Sequence, residues 1–459
     1  MSSINLENLT IPKSTNCRFL LSACPELENV TLPKNATIIH SLIFGECSKL
    51  KNVDIPDTVT TIGYEAFRGC TSLENIIIPD SIKRISKCTF QDCTGLKSVT
   101  LPSSLKTIGK NAFYNCSSLE SITIPASVET IGDSAFRQCK NLTDVNIQND
   151  PTNTTSPASL KTIGPNAFKD CEKLKNINIP DSVTRIGESA FMSCTSLESL
   201  TLPDSVTRIE NEAFASCERL KNITIPDSLY YIGAHAFDGC ESLENITLPD
   251  SITEIDSFVF HGCQSFKSMI IPDSVTAIHS GAFEKCSSLE SIKIPESVDS
   301  IEWNAFKGCK KLTGITIPNG VTVISDSIFE NCENLEHIKL PDSLEDICDN
   351  AFHGCHSLKE ITLPDTLESI GKKAFCECKS LESIEIPYGT ERIGSFAFYQ
   401  CKNLKSITIP NTLYSIGNNA FSDCESLETV TIISDCTSRT IDVRGLDFDT
   451  MNRWIFLYF

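Results

Sequence analysis

Ten prolines, running Pro203, Pro226, Pro249, Pro272, Pro295, Pro318, Pro341, Pro364, Pro387 and Pro410, stand 23 residues apart. A fixed period of this length confines the chain to a repeat architecture in which each copy packs on its sequence neighbours. One copy, Leu197 to Cys217, reads Leu-Glu-Ser-Leu-Thr-Leu-Pro-Asp-Ser-Val-Thr-Arg-Ile-Glu-Asn-Glu-Ala-Phe-Ala-Ser-Cys, and two spacer residues complete it. Residues 1–432 are read as one solenoid. Its first rung, 1–24, is degenerate: Pro12 to Cys24 is shorter than Pro56 to Cys70, and Leu21 replaces the Phe. The only internal insertion, residues 148–156, is polar and reads as a solvated loop. From residue 433 to 459 the repeat is abandoned. That segment is expected to be a cap, with Ile441, Val443, Leu446 and Phe448 covering the last rung, or a truncated tail.

Within a copy, the alternation ending in Ile-x-Ile or Leu-x-Leu before Pro predicts a short strand. Proline then ends it, having no N–H for the ladder, and Asp-Ser supplies turn chemistry. The Ser-Val-x-x-Ile segment predicts a second extended piece, and Ala-Phe-x-x-Cys a single helical turn. A Gly after the Ile (Gly63, Gly109, Gly132, Gly187) suits a positive-φ corner. A lone copy buries too few apolar side chains to offset the entropy of ordering 23 backbones, so the copies must stack. About 19 such rungs are expected, with the first strands side by side in a curved parallel sheet.

Charge narrows the partners. A net charge of −20 argues against nucleic acid, which needs clustered Lys and Arg, and against anionic membrane surfaces. No run approaches the roughly 18–20 apolar residues of a membrane helix; Trp454 to Phe459 is far too short. The Met1-Ser-Ser-Ile-Asn-Leu start lacks a basic stretch followed by an apolar one, which reads as a cytoplasmic start. Of 23 cysteines, all but Cys17, Cys88, Cys348, Cys376 and Cys436 fall at one repeat phase, three residues after the Phe. They are read as buried reduced thiols rather than a disulfide framework. Two places before each strand's inward residue, charge sign alternates along Glu28, Lys51, Glu74 and Lys97, which avoids a like-charge ladder.

The motif Leu-x-x-Ile-x-Ile-Pro-x-Ser-Val-x-x-Ile-Gly-x-x-Ala-Phe-x-x-Cys, as at Leu381 to Cys401 with small departures, resembles the BspA-like leucine-rich repeats, the treponemal class of 23-residue repeats. The resemblance covers residues 6–432. It implies a leucine-rich repeat solenoid, without catalysis or cofactor, that binds protein partners. The family is associated with surface proteins of bacteria and parasitic protists implicated in adhesion, so extracellular-matrix or host-surface proteins are the implied partners and the cell surface the implied location. An intracellular leucine-rich repeat scaffold is the alternative. Oligomeric state is not implied.

The outward strand positions would be the working face. They are mostly Asn, Ser and Thr, with Ile77 and Ile270 as apolar exceptions. Lys293, Thr316, His337 and Lys339 make its one basic spot and are the candidate partner-binding residues. Trp303, at a spacer position, is a candidate anchor of the kind that dominates interfaces; Tyr230 and Tyr414 share another spacer phase. The Asp that follows many of the strand-ending prolines (Asp57, Asp80, Asp181, Asp204 and others) forms an acidic rail better explained by turns than by Ca²⁺. His353-Gly-Cys-His356 and Cys376-Glu-Cys378 look like ligand fragments, but neither supplies four convergent ligands and no metal site is assigned. No catalytic motif is present. Asn29, Asn153 and Asn222 open glycosylation sequons.

Overall fold

A computed structural model describes residues 4–5, 21–148, 160–434 and 437–442. It separates into two compact units, Met1–Glu241 and Ser242–Phe459. Each is a parallel β-solenoid, and together they hold about 17 turns. A rung contributes two strands. The first is usually three residues, as in Asn52–Asp54, Ser199–Thr201 and Ser291–Lys293, and the second is two, as in Thr61–Ile62, Arg208–Ile209 and Ser300–Ile301. Equivalent strands pair in parallel with partners 23 apart, such as Ser199↔Asn222 and Ile209↔Ile232. Across the insertion the register shifts to Asp144↔Asn176 and Ile131↔Ile163, a step of 32, so nine added residues leave the stacking phase intact. Asn178 helps at this join: its side-chain amide bonds Ile147 N at 2.8 Å and Ile147 O at 2.5 Å, continuing the ladder beyond the two-residue strand Asn176–Ile177.

The last parallel strand, Thr429–Ser434, pairs on its far side with the antiparallel strand Thr437–Asp442. The tail thus turns back along the final rung. Residues 149–156 of the insertion, together with Cys17, Asn153, Cys436, Val443, Leu446, Phe448 and Trp454, lie outside the described residues.

The core follows the repeat. Leu, Ile, Val, Ala, Phe and Cys at their fixed phases are almost wholly buried, for example Leu73, Val59, Ile62, Ala66, Phe67 and Cys70. The Phe rings stack face to face: centroids lie 5.2–5.5 Å apart from Phe44 to Phe237 in the first unit. From Phe260 to Phe421 in the second they lie 5.1–5.7 Å apart.

The expected helical turn does not form, and the described residues contain no helix. Two residues per copy take left-handed φ, such as Glu65 (56°) and Gly69 (71°), or Asn111 (52°) and Asn115 (56°). A helical turn needs right-handed φ throughout. The alternation instead aims every second N–H at the next rung: Glu65, Phe67 and Gly69 donate to the carbonyls of Lys87, Thr89 and Gln91 at 3.1, 2.9 and 2.8 Å. These bonds extend rung-to-rung pairing into the turn side.

The glycine corner also differs from expectation. None of Gly63, Gly109, Gly132 and Gly187 has positive φ. They are required by close approach: a Cβ on Gly132 would lie 2.7 Å from Lys110 N of the preceding rung, and one on Gly187 2.6 Å from Ile163 O.

The ladder cysteines do more than fill space. Cys70, Cys116, Cys139 and Cys217 each donate S–H to the Phe carbonyl of the preceding rung at 3.2 Å, and Cys171 spans the insertion to reach Phe136 O at 3.2 Å. Phe44 O also accepts Cys47 N of its own turn at 3.2 Å. The described cysteines are free thiols. Burial pushes the ionisation of Cys116, Cys139 and Cys217 up, to about 12 at Cys139. The Ser or Thr two places after the Pro plays a similar part, with the hydroxyls of Ser127, Ser182 and Ser228 donating to Leu105, Leu160 and Val206 carbonyls at 2.7, 2.7 and 2.8 Å.

Candidate functional site

The first strands present alternate residues to solvent. Much of that face satisfies itself: Asn52 Nδ2 donates to Asn29 Oδ1 at 2.9 Å and Ser98 Oγ to Asn75 Oδ1 at 2.6 Å. Ile77 and Ile270 are exposed there, at 72% and 74%.

In the second unit, register brings four of the candidate residues together. Ile270 pairs with Lys293, Gly314 with His337 and Thr316 with Lys339. Lys293, Thr316, His337 and Lys339 line a shallow depression of about 480 Å³ with Gly314. Gly314 stands where most copies carry Asn or Ser, and its missing side chain opens the floor. This contribution was overlooked in the sequence because a single absent side chain leaves no chemical signature. Lys293 and Lys339 make no ion pair among the described residues, and His337 Nε2 lies 3.9 Å from Glu336 Oε2. A shallow cationic notch of this kind suits recognition of carboxylate-bearing surfaces.

Trp303 is elsewhere. It is 48% exposed on the turn side, where its ring meets Phe258 edge-on at 5.8 Å. Phe258 in turn lies across Gly281, where a Cβ would come within 2.2 Å of its ring. Four of the five candidates therefore form one cluster, and Trp303 stands apart with Phe258.

Other parts of the first-strand face are neutral or acidic. Asn146, Asn178, Ser199 and Thr201 line one depression; Glu360, Asp365, Glu385 and Tyr388 line another of about 560 Å³. Among the described residues the alternating charges close three inter-rung pairs, Lys51–Glu28 at 3.2 Å, Lys97–Glu74 at 2.9 Å and Lys405–Glu382 at 3.0 Å. The hydrogen bond and charge of Lys405 hold the Glu382 carboxyl below its usual range. Tyr230 is half exposed and sits 5.7 Å from the Arg208 guanidinium, which also lies 4.2 Å over the Tyr231 ring.

On the turn side of the second unit two titratable clusters were missed by reading copies one at a time. His279 bridges three rungs, with Nδ1 2.9 Å from Glu302 Oε1 and Nε2 3.3 Å from Glu254 Oε2. Burial lowers its ionisation, but these two carboxylates outweigh it and hold the imidazole above its ordinary value. The second cluster joins the two ligand-like fragments. His353 and Cys376 are 23 apart and so become lateral neighbours; donor atoms of His353, Cys376 and Glu377 all lie within 4.8 Å of one another.

The BspA type Leucine rich repeat region matches residues 15–143, 148–227, 207–336 and 322–442. The chain belongs to the BspA-type leucine-rich repeat family. A leucine-rich repeat protein from Bacteroides ovatus is similar at 29% identity over 94% of each chain, with a TM-score of 0.57. A leucine-rich cell surface protein from Faecalibacterium prausnitzii shares 30% identity over 72% of this chain and 84% of its own, with a TM-score of 0.45. The leucine-rich repeat protein of T. pallidum shares 34% identity over 36% of this chain and 78% of its own, with a TM-score of 0.35. No curated protein sequence matches the chain. This BspA-type chain is a leucine-rich repeat protein, an architecture consistent with a protein–protein interaction scaffold. The described residues contain no helix long and apolar enough to cross a membrane.

Proposed function

We propose that this BspA-type solenoid is a non-catalytic, adhesin-like protein at the cell surface or secreted, which docks acidic patches of matrix or host-surface proteins on its first-strand face. The observation that carries the reading is the notch of Lys293, Thr316, His337 and Lys339, a cationic spot without ion-paired lysines on a chain of net charge −20. The aromatic pair of Trp303 and Phe258 lies on another side and is a secondary contact at most. The surface location rests on the family's association with surface proteins.

Binding of immobilised matrix proteins is the direct test. The Lys293→Glu/Lys339→Glu double variant is expected to lose at least about tenfold in affinity, and wild-type binding to weaken as salt rises. Equal affinity of the two proteins removes the notch from the interface. Protease shaving of intact source cells then tests location: loss of the protein with a cytosolic marker intact supports the adhesin reading. Survival until lysis favours an intracellular scaffold, the alternative to which the free thiols lend support.

A further inference from the structure

Cys376 breaks the pattern of its kind. The ladder thiols donate to a Phe carbonyl of the preceding rung, whereas Cys376 stands off that ladder, immediately after Phe375, and its Sγ has no hydrogen-bond partner among the described residues. It is only 3% exposed. Residues following the core Phe form a row up the stack, and here the row reads Glu330, His353, Cys376 in consecutive rungs. His353 Nδ1 is 3.8 Å from Glu330 Oε1, and its Nε2 is 3.7 Å from Glu377 Oε1. His356 Nε2 is 3.8 Å from Glu377 Oε2. An imidazole, a thiol and a carboxylate thus converge from two adjacent rungs, with a second imidazole and a second carboxylate at the rim.

We propose that Cys376, His353 and Glu377 bind a borderline-soft divalent transition-metal cation of the Zn²⁺ class, with His356 or Glu330 at the remaining position. Mixed sulfur, nitrogen and oxygen donors suit such an ion and not Ca²⁺ or Mg²⁺, which take oxygen. Tetrahedral ligands at about 2.0–2.3 Å from zinc stand roughly 3.3–3.8 Å from one another. The present donors, within 4.8 Å, need small side-chain shifts to close on it. Binding replaces the Cys376 S–H with an S–metal bond and releases that proton to solvent.

One group opposes the cation. Lys379 Nζ sits 3.3 Å from Glu377 Oε2 and 3.1 Å from His356 Nε2. Its side chain is 42% exposed, so the ammonium can swing into water as the metal enters. It is the counter-ion of the Glu377 carboxylate and competes with the incoming cation for it, so its removal should favour binding.

Titration of the full chain with Co²⁺ alone tests this. The expected result is one equivalent showing thiolate-to-cobalt charge transfer and tetrahedral d–d absorption, displaced by Zn²⁺. Cys376→Ser abolishes the charge-transfer band, Cys348→Ser leaves it intact, and His353→Gln weakens binding by at least about tenfold. Lys379→Met tightens it, a gain that a purely structural role for the cluster does not produce. No thiolate band in wild type, or a band that survives Cys376→Ser, overturns the proposal. If Cys376→Ser does not fold, an affinity unchanged in both His353→Gln and Lys379→Met overturns it equally.

Discussion

At the scale of single residues, the repeat separates positions that look alike. Gly132 and Gly314 are both unstrained glycines, yet a Cβ on Gly132 would meet backbone of the neighbouring rung at 2.7 Å, while one on Gly314 would meet nothing nearer than 3.5 Å. Gly132→Ala is therefore expected to cost about 1–3 kcal/mol by forcing two rungs apart. Gly314→Ala should be neutral or stabilising by up to about 1 kcal/mol through the unfolded chain. Urea unfolding of the pair checks both, and equal effects would refute the close-approach argument. Cys194 makes the matching case for the thiols: its S–H bond to Phe168 O is 3.3 Å long. Cys194→Ala should lose about 1–2 kcal/mol from the missing bond and the small void together. Burial of these cysteines was legible from their phase beside Phe. Their carbonyl partner was not, because it lies 26 residues back in a neighbouring turn and depends on how the turn is built.

At the scale of elements, stacked side chains act as clamps between strands and turns. His279 ties the strand Glu254–Ile255 to the rung of Glu302. Its imidazole is held above its ordinary value, so its contribution is fully present below the unfolded value of about 6.5 and is lost as pH rises through the raised folded value. Glu302 behaves oppositely. Burial raises its carboxyl, but hydrogen bonds from Ser280 and His279 outweigh that and lower it, so its contribution is lost as pH falls through the depressed value. The clamp is strongest in mild acid. The stability gap between wild type and His279→Gln should peak there and shrink above the raised imidazole value, as urea midpoints across pH would show; a gap independent of pH would sink the assignment. The two strands of each rung and the nine-residue insertion could be read from apolar spacing and from the period. The turn segment was misread as helical because Ala-Phe-x-x-Cys has helical spacing, whereas what decides its shape is the left-handed φ at Glu65 and Gly69, a demand that residues as varied as Glu65, Asn111, Ser134 and Phe258 meet.

At the scale of the whole molecule, the period makes surface chemistry additive: residues 23 apart become lateral neighbours. Lys293, Thr316 and Lys339 could be placed together because outward strand positions were compared between copies. His353 and Cys376 were not, because each was weighed inside its own fragment. The same arithmetic governs the insertion. Excising residues 148–156 should restore the 23-residue step between Ile131 and Ile163 with little change in melting temperature, and a marked loss would show that the added segment supports the stack. The thiol-to-carbonyl ladder has a practical consequence. Nine buried cysteines of this phase, Cys47 to Cys240, lie in the first unit and eight, Cys263 to Cys424, in the second. A thiol is hidden while its rung is closed and reactive once it opens, so the chain carries a built-in counter of its own unravelling. Alkylation in rising denaturant, weighed on the intact protein, would report how many rungs let go at once, and whether the two units come undone as two blocks or one turn at a time.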